Sequence, residues 1–318
     1  MSVSPTSNAI PAQADDPADA PTQLSLWERV SFGAVRWSMA ALVACLGLNL
    51  TYRLGRVFGT LEWLINFKRR RRFCARMVQF YPEGVSANRV RRSCREFFMH
   101  ARCDRMFFLI LDCLSRERAI SLFSMDRREL LDEALADGSG VHIAMSHLGP
   151  HHVFSIMMCL LGYKMAGVRE RRESGLRRYV QQRYCRRFPE YAGFRLFFSG
   201  TYPRDIYRAL QEGYVLASAM DVARRHAPNQ RMEAVTMFGK EHHFLSGPLR
   251  IATRSGATVF PGFILPEGGF RYRFVMDKAI FDPKKSTNNE ETVRSAMSAY
   301  ATSVEKAIRR YPAHITRI

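Results

Sequence analysis

The second half of the chain alternates two kinds of pattern. Short runs rich in apolar residues are VHIAM (141–145), KMAGV (164–168), FRLFF (194–198), YVLASAM (214–220), ATVFPGFIL (257–265) and FRYRFVMDKAI (270–280). Between them lie stretches with apolar residues at helical spacing: VFSIMMCLLG (153–162), 202–212, 247–255 and 290–310. Runs bounded by glycine or turn residues read as buried strands, and the spaced stretches as covering helices. Strands alternating with helices predict an α/β fold, with a mostly parallel central sheet flanked by helices.

The first half reads differently. Residues 86–136 carry apolar and aromatic side chains at helical spacing. Within them DRRELLDEALADGSG reads as a capped helix, with Asp126 as N-cap, Glu129 three residues on and Gly138 as terminator. Upstream, WSMAALVACLGLNLTY (37–52) is uncharged but shorter than the roughly 20 apolar residues of a spanning helix. RLGRVFGTLEWLINF follows, and then the cationic KRRRRFCAR (68–76). An apolar helix with a basic flank suits a membrane-associating segment against an anionic leaflet. All three tryptophans, Trp27, Trp37 and Trp63, lie here. A core helix followed by a solvated charge run is the other reading.

Residues 1–26 lack Lys and Arg and are rich in Ala, Pro, Ser and Asp, so they read as a disordered tail, not a signal peptide. The expected organisation is a tail (1–26), a membrane-associating helical segment (27–80) and one α/β domain (81–318).

Charge narrows the partners. Lys and Arg number 48 against 29 acids, a net charge of +19, which points to an anionic membrane or nucleic acid. No nucleic-acid module or aromatic stacking platform is recognisable, so no nucleic acid is expected. Seven scattered cysteines, without a CxxC pair, suit buried thiols in a reducing compartment.

The candidate chemistry centres on AMSHLGPHH (144–152), which directly follows a predicted strand. In parallel sheets the chemistry lies beyond the carboxyl ends of the strands. His147 and Asp221 both fall just past such ends. His147 and His151 are four apart, a usable ligand spacing, but Gly149-Pro150 argues against a regular helical turn between them and no metal is expected. His242 and His243 read as loop residues before the Gly-Pro turn.

The order of these features resembles the lysophospholipid acyltransferase superfamily, and looks closest to the lipid A biosynthesis (lauroyl/myristoyl) acyltransferases. The resemblance runs from about Trp27 to the end. It is carried by the strand ending in Ser146-His147, by YRALQEGYVLASAMD (207–221), by MFGKEHHFLSGPLRIATRSGATVFPGF (237–263) and by the N-terminal apolar segment with its basic flank. It implies a membrane-associated acyltransferase at the cytoplasmic face of the inner membrane. The acyl donor would be an acyl carrier protein or coenzyme A thioester, the acceptor a lipid or glycolipid, and no cofactor is implied.

In that family a histidine removes a proton from the acceptor, and an acid fixes and charges the imidazole. The resemblance makes His147 the base. The hallmark is His, four residues, then Asp or Glu; here the acid position is His152. Two readings stay open: a neutral His152 orients His147, or Asp221 folds over His147 and replaces the missing acid. An impaired homologue that binds lipid or carrier is the alternative function. For substrate contacts the expected residues are Arg169, Arg224 and Arg225 as anion partners, and Ser246, Gly247 and Pro248 at a helix start. The other arginines of 169–187 fit an acyl-carrier phosphate, anionic lipid or a solvated helix face.

Overall fold

A computed structural model describes residues 24–169, 174–198, 203–221 and 230–316, with only the main chain of Arg169. The N-terminal half is helical: α1 (Leu26–Ile65), α2 (Phe67–Phe80), α3 (Ala87–Ile110) and α4 (Arg116–Ile120). Then follow β1 (Phe123–Met125), α5 (Arg128–Ala136), β2 (Val141–Met145), α6 (His151–Leu160) and β3 (Met165–Arg169). The next elements are α7 (Gly175–Arg187), α8 (Pro189–Ala192), β4 (Arg195–Phe198), α9 (Pro203–Gln211) and β5 (Val215–Ala219). The chain continues through β6 (Met232–Met237), β7 (Lys240–Leu245), α10 (Gly247–Arg254), β8 (Thr258–Gly268), β9 (Arg271–Met276) and α11 (Glu290–Arg310).

Seven strands form one sheet in the order β1-β9-β8-β2-β5-β3-β4. Every neighbouring pair is parallel except β8 and β9. The fold is therefore α/β, with a mostly parallel sheet flanked by helices, as the alternating pattern implies. All five residues of β2 are buried, which is why that strand reads as a continuous apolar run instead of an alternating one. Two apolar clusters cover the sheet, one including Phe97, Phe98 and Tyr300, the other Phe107, Phe154 and Phe274.

Three local expectations are corrected. Residues 86–136 are not helical throughout: β1 interrupts them and pairs with β9. Asp126 does not cap α5. Arg127 occupies the cap position in a left-handed conformation (φ 55°), without a side-chain cap bond, while the Asp126 carboxylate meets Arg273 at 3.1 Å. His242 and His243 lie in β7, opposite Val235 and Ala234 in an antiparallel hairpin with β6.

The two N-terminal apolar stretches form a single 40-residue helix, non-helical only at Gly47. By length and composition α1 is able to cross a membrane. It is nevertheless docked along its length. Arg36 is buried and pairs with Asp112 at 3.1 Å, and Asp112 also receives Arg183 of α7 at 2.5 Å. Gly55 and Gly59 bring α1 against α3; a Cβ at Gly59 would lie 2.5 Å from the Met99 Cα. Apolar side chains elsewhere on the helix stay exposed, among them Trp27, Trp37, Leu50, Val57, Leu61 and Ile65.

Candidate active site

The site forms where β2 and β5 end. These strands pair in parallel, with Met145 opposite Ala219. The same offset, carried two residues past both ends, sets His147 opposite Asp221. The imidazole Nδ1 of His147 lies 2.7 Å from Asp221 Oδ1, and the His147 main-chain N–H donates to Asp221 Oδ2, also at 2.7 Å. One carboxylate thus grips both the ring and the backbone of one residue. With Nδ1 facing a carboxylate, the proton of a neutral ring sits on Nδ1 and the Nε2 lone pair is free to accept.

The loop carrying His147 is held from several sides. Tyr300 of α11 is fully buried and donates its hydroxyl to the Met145 carbonyl at 2.6 Å. The C-terminal segment crosses the loop. The Thr316 N–H and hydroxyl both donate to the His147 carbonyl, at 2.8 and 2.9 Å, and the Gly149 N–H donates to the His314 carbonyl at 2.6 Å. Gly149 has φ 75°, and a Cβ there would fall 1.7 Å from the Ile264 carbonyl oxygen. The turn after His147 therefore has room only for glycine. His314 stacks on His100 of α3, ring centroids 4.5 Å apart.

His147 and Asp221 open onto a cavity of about 450 Å³, within the roughly 300–1,000 Å³ of small-molecule sites. Phe80, Met237, Phe238, Phe244, Val304 and Ile308 give it apolar walls, and Arg76, Lys240 and His242 add polar groups. Ser146 also lines it; its buried hydroxyl has no hydrogen-bond partner among the described residues.

The other expected residues are distributed less simply. His152 sits on the first turn of α6, edge-on to Phe108 at 5.0 Å and 6.0 Å from the His151 ring. Desolvation lowers its pKa to about 3, so it stays neutral. His151 lies between His152 and His147, and desolvation holds it well below the ordinary histidine range. The group on His147 Nδ1 is Asp221, not His152. Ser246 is fully buried and donates to the Arg231 carbonyl at 3.2 Å, and Arg250 meets its oxygen at 3.3 Å. Ser246, Gly247 and Pro248 start α10 but do not line the cavity. Arg224, Arg225 and the side chain of Arg169 lie outside the described residues.

Sequence reasoning missed Arg76, Tyr300 and Thr316. They arrive from α2, α11 and the C-terminal segment, and no local motif links them to the histidine.

The family model for bacterial lipid A biosynthesis acyltransferases matches residues 25–316. The chain belongs to that family. It is accordingly an acyltransferase, of a family that acylates lipid acceptors. The match spans the helical N-terminal region and the sheet together. A comparison with curated proteins gives no match.

Proposed function

We propose that the protein moves a fatty acyl chain from a thioester donor, an acyl carrier protein or coenzyme A, to a hydroxyl of a lipid or glycolipid. His147 is the general base and Asp221 supplies the carboxylate that the hallmark motif lacks. The observation that carries this reading is the 2.7 Å contact between His147 Nδ1 and Asp221 Oδ1 at the mouth of an apolar cavity.

The chemistry follows from that contact. Nε2 takes the acceptor hydroxyl proton as the oxygen attacks the thioester carbonyl carbon. The imidazolium formed is paired with Asp221. The tetrahedral oxyanion needs donors; the Ser146 hydroxyl is one within the cavity. Collapse expels the thiolate, which takes the proton back from Nε2. Apolar walls suit an acyl chain, and Arg76 and Lys240 suit a phosphate on donor or acceptor.

The same reading places the protein on the cytoplasmic face of the inner membrane, with α1 lying in the interface instead of crossing the bilayer. Were α1 to cross, the attached α3 would enter hydrocarbon with Arg91, Arg95, Arg102 and Arg105. Each arginine near the bilayer centre costs about 2.5–3.5 kcal/mol or more. Exposed tryptophans and leucines on α1, followed by Lys68–Arg72, fit an interfacial helix beside an anionic leaflet.

The test is transfer by the purified protein, with radiolabelled acyl carrier protein and acyl-coenzyme A donors against a panel of glycolipid and lysolipid acceptors. Wild type should transfer with at least one donor and His147→Ala should not. Equal transfer by both would remove His147 from the mechanism.

A further inference from the structure

A second and larger cavity lies on the opposite side of α2 from His147. Its volume is about 710 Å³, and its walls come from the end of α1, from α2 and from the start of α3. Leu64, Cys74, Ala75, Val78, Val90 and Cys94 make the lining largely apolar. Leu64 and Val78 are also 47% and 62% exposed, so the cavity reaches the surface between them. Just outside stand Ile65 and Phe67, at 75% and 59%.

Two cations mark the rim. The guanidinium of Arg70 lies 5.2 Å from the Trp63 ring and 4.8 Å from Phe67, and that of Arg91 lies 5.7 Å from Trp63. The nearby carboxylates are taken: Glu62 pairs with Arg69 and Arg102, and Glu96 with Arg92. Among the described residues, neither Arg70 nor Arg91 forms an ion pair with a carboxylate. Both guanidiniums rest on the same tryptophan ring, which does not neutralise them, and that of Arg70 also donates to the Trp63 carbonyl at 3.3 Å.

An apolar slot whose lining includes two cations without a carboxylate partner, with exposed apolar side chains beside it, is complementary to an anionic amphiphile. We infer that this cavity binds an anionic membrane phospholipid, with one acyl chain between α2 and α3 and the phosphate against Arg70 and Arg91. A guanidinium offers several N–H donors to phosphate oxygens, and Arg70 keeps donors beyond the one its Nη1 gives to the Trp63 carbonyl. The site does not involve His147 chemistry, but it does add to the reading that α1 faces a membrane. A short-chain lipid in solution therefore tests it apart from membrane attachment.

The probe is dihexanoyl phosphatidylglycerol below its micelle concentration, followed by native mass spectrometry on the full chain. Saturable binding is expected. It should weaken at least about tenfold in Arg70→Gln/Arg91→Gln and in Ala75→Trp, which fills the slot. Arg71→Gln/Arg72→Gln, on the exposed side of the same helix, should change it less than about twofold. Glycerol phosphate, which lacks the chains, should not bind. Equal loss in both arginine pairs would reduce the effect to diffuse charge and overturn the site, as would full binding by Ala75→Trp. A second measurement does not depend on those variants. In Trp27→Phe/Trp37→Phe protein, Trp63 is the remaining tryptophan, and phosphatidylglycerol vesicles with brominated chains should quench it. Vesicle binding without quenching would overturn the site and leave the membrane-facing reading standing.

Discussion

His147 and Asp221, 74 residues apart, meet because β2 and β5 pair in parallel with the same 74-residue offset. The contact is a consequence of strand register. It needs neither residue to be near the other in sequence, nor a helical turn between them. In the family motif the acid stands five positions after the histidine. Here that position is His152, which packs against Phe108, and the carboxylate that meets His147 stands at the adjacent strand end.

This arrangement makes restoration of the motif unhelpful. His152→Glu would put a carboxyl into the desolvated pocket beside Phe108 and His151, without access to an Nδ1 already facing Asp221. Activity should not rise, and the melting temperature should fall. His152→Gln should keep most of the activity. A gain of activity in His152→Glu, measured by radiolabelled acyl transfer, would show that Asp221 does not act as the acid.

The turn after His147 is the most sterically defined part of the site. Gly149→Ala places a methyl group against the Ile264 carbonyl in a backbone region that alanine disfavours. The expected loss is about 2–4 kcal/mol of stability, read from chemical denaturation, with transfer lost even where the variant folds. Thr316→Val removes one of two bonds to the His147 carbonyl and should cost about 1 kcal/mol, with a fall in kcat larger than any change in KM.

Most of the sheet was legible because each central strand is a mostly apolar run bounded by turn-forming or charged residues, as at Gly140, Ser146, Gly213, Asp221 and Pro266. Position past a strand end also singled out His147 and Asp221. Their contact was one of two open readings, because register is not written in either strand alone. The hairpin of β6 and β7 was hidden by its turn: Phe238 and Gly239 both have positive φ, at 53° and 70°, in a position where Asn-Gly is the usual signal. β1 was hidden by its three residues, which owe their conformation to β9. The cap at Asp126 failed because Arg273, distant in sequence, competes for its carboxylate. The clamp by Tyr300 and Thr316 depends on where α11 and the C-terminal segment come to rest, which no local pattern encodes.

Acid should destabilise the fold through half-buried histidines. Desolvation lowers His100 to about 4 and His314 to about 3, against about 6.5 in the unfolded chain. Below pH 6.5 the unfolded form gains protons that the folded form refuses, so stability falls as pH drops from about 6.5 towards 4. His100→Gln/His314→Gln should flatten part of that slope, measured as melting temperature against pH. An unchanged slope would place the titration elsewhere.

Buried Asp104 works in the opposite direction. Burial pushes its carboxyl up to about 7, although the Tyr272 hydroxyl bonds to it at 3.0 Å. Between about pH 4 and 7 the folded form holds a proton that the unfolded form releases, so this group's contribution falls as pH rises. Asp104→Asn should remove that decline. A decline of the same size in the variant would assign it to another group.

In the proposed mechanism Asp221 charges and orients His147. The most direct test is single-turnover acyl transfer by Asp221→Asn beside wild type, with circular dichroism and melting temperature as folding controls. The variant keeps the shape and loses the charge. A native fold and a rate lower by about 10³–10⁴ are expected. An Asp221→Asn protein that is folded and transfers within about threefold of wild type would contradict that mechanism.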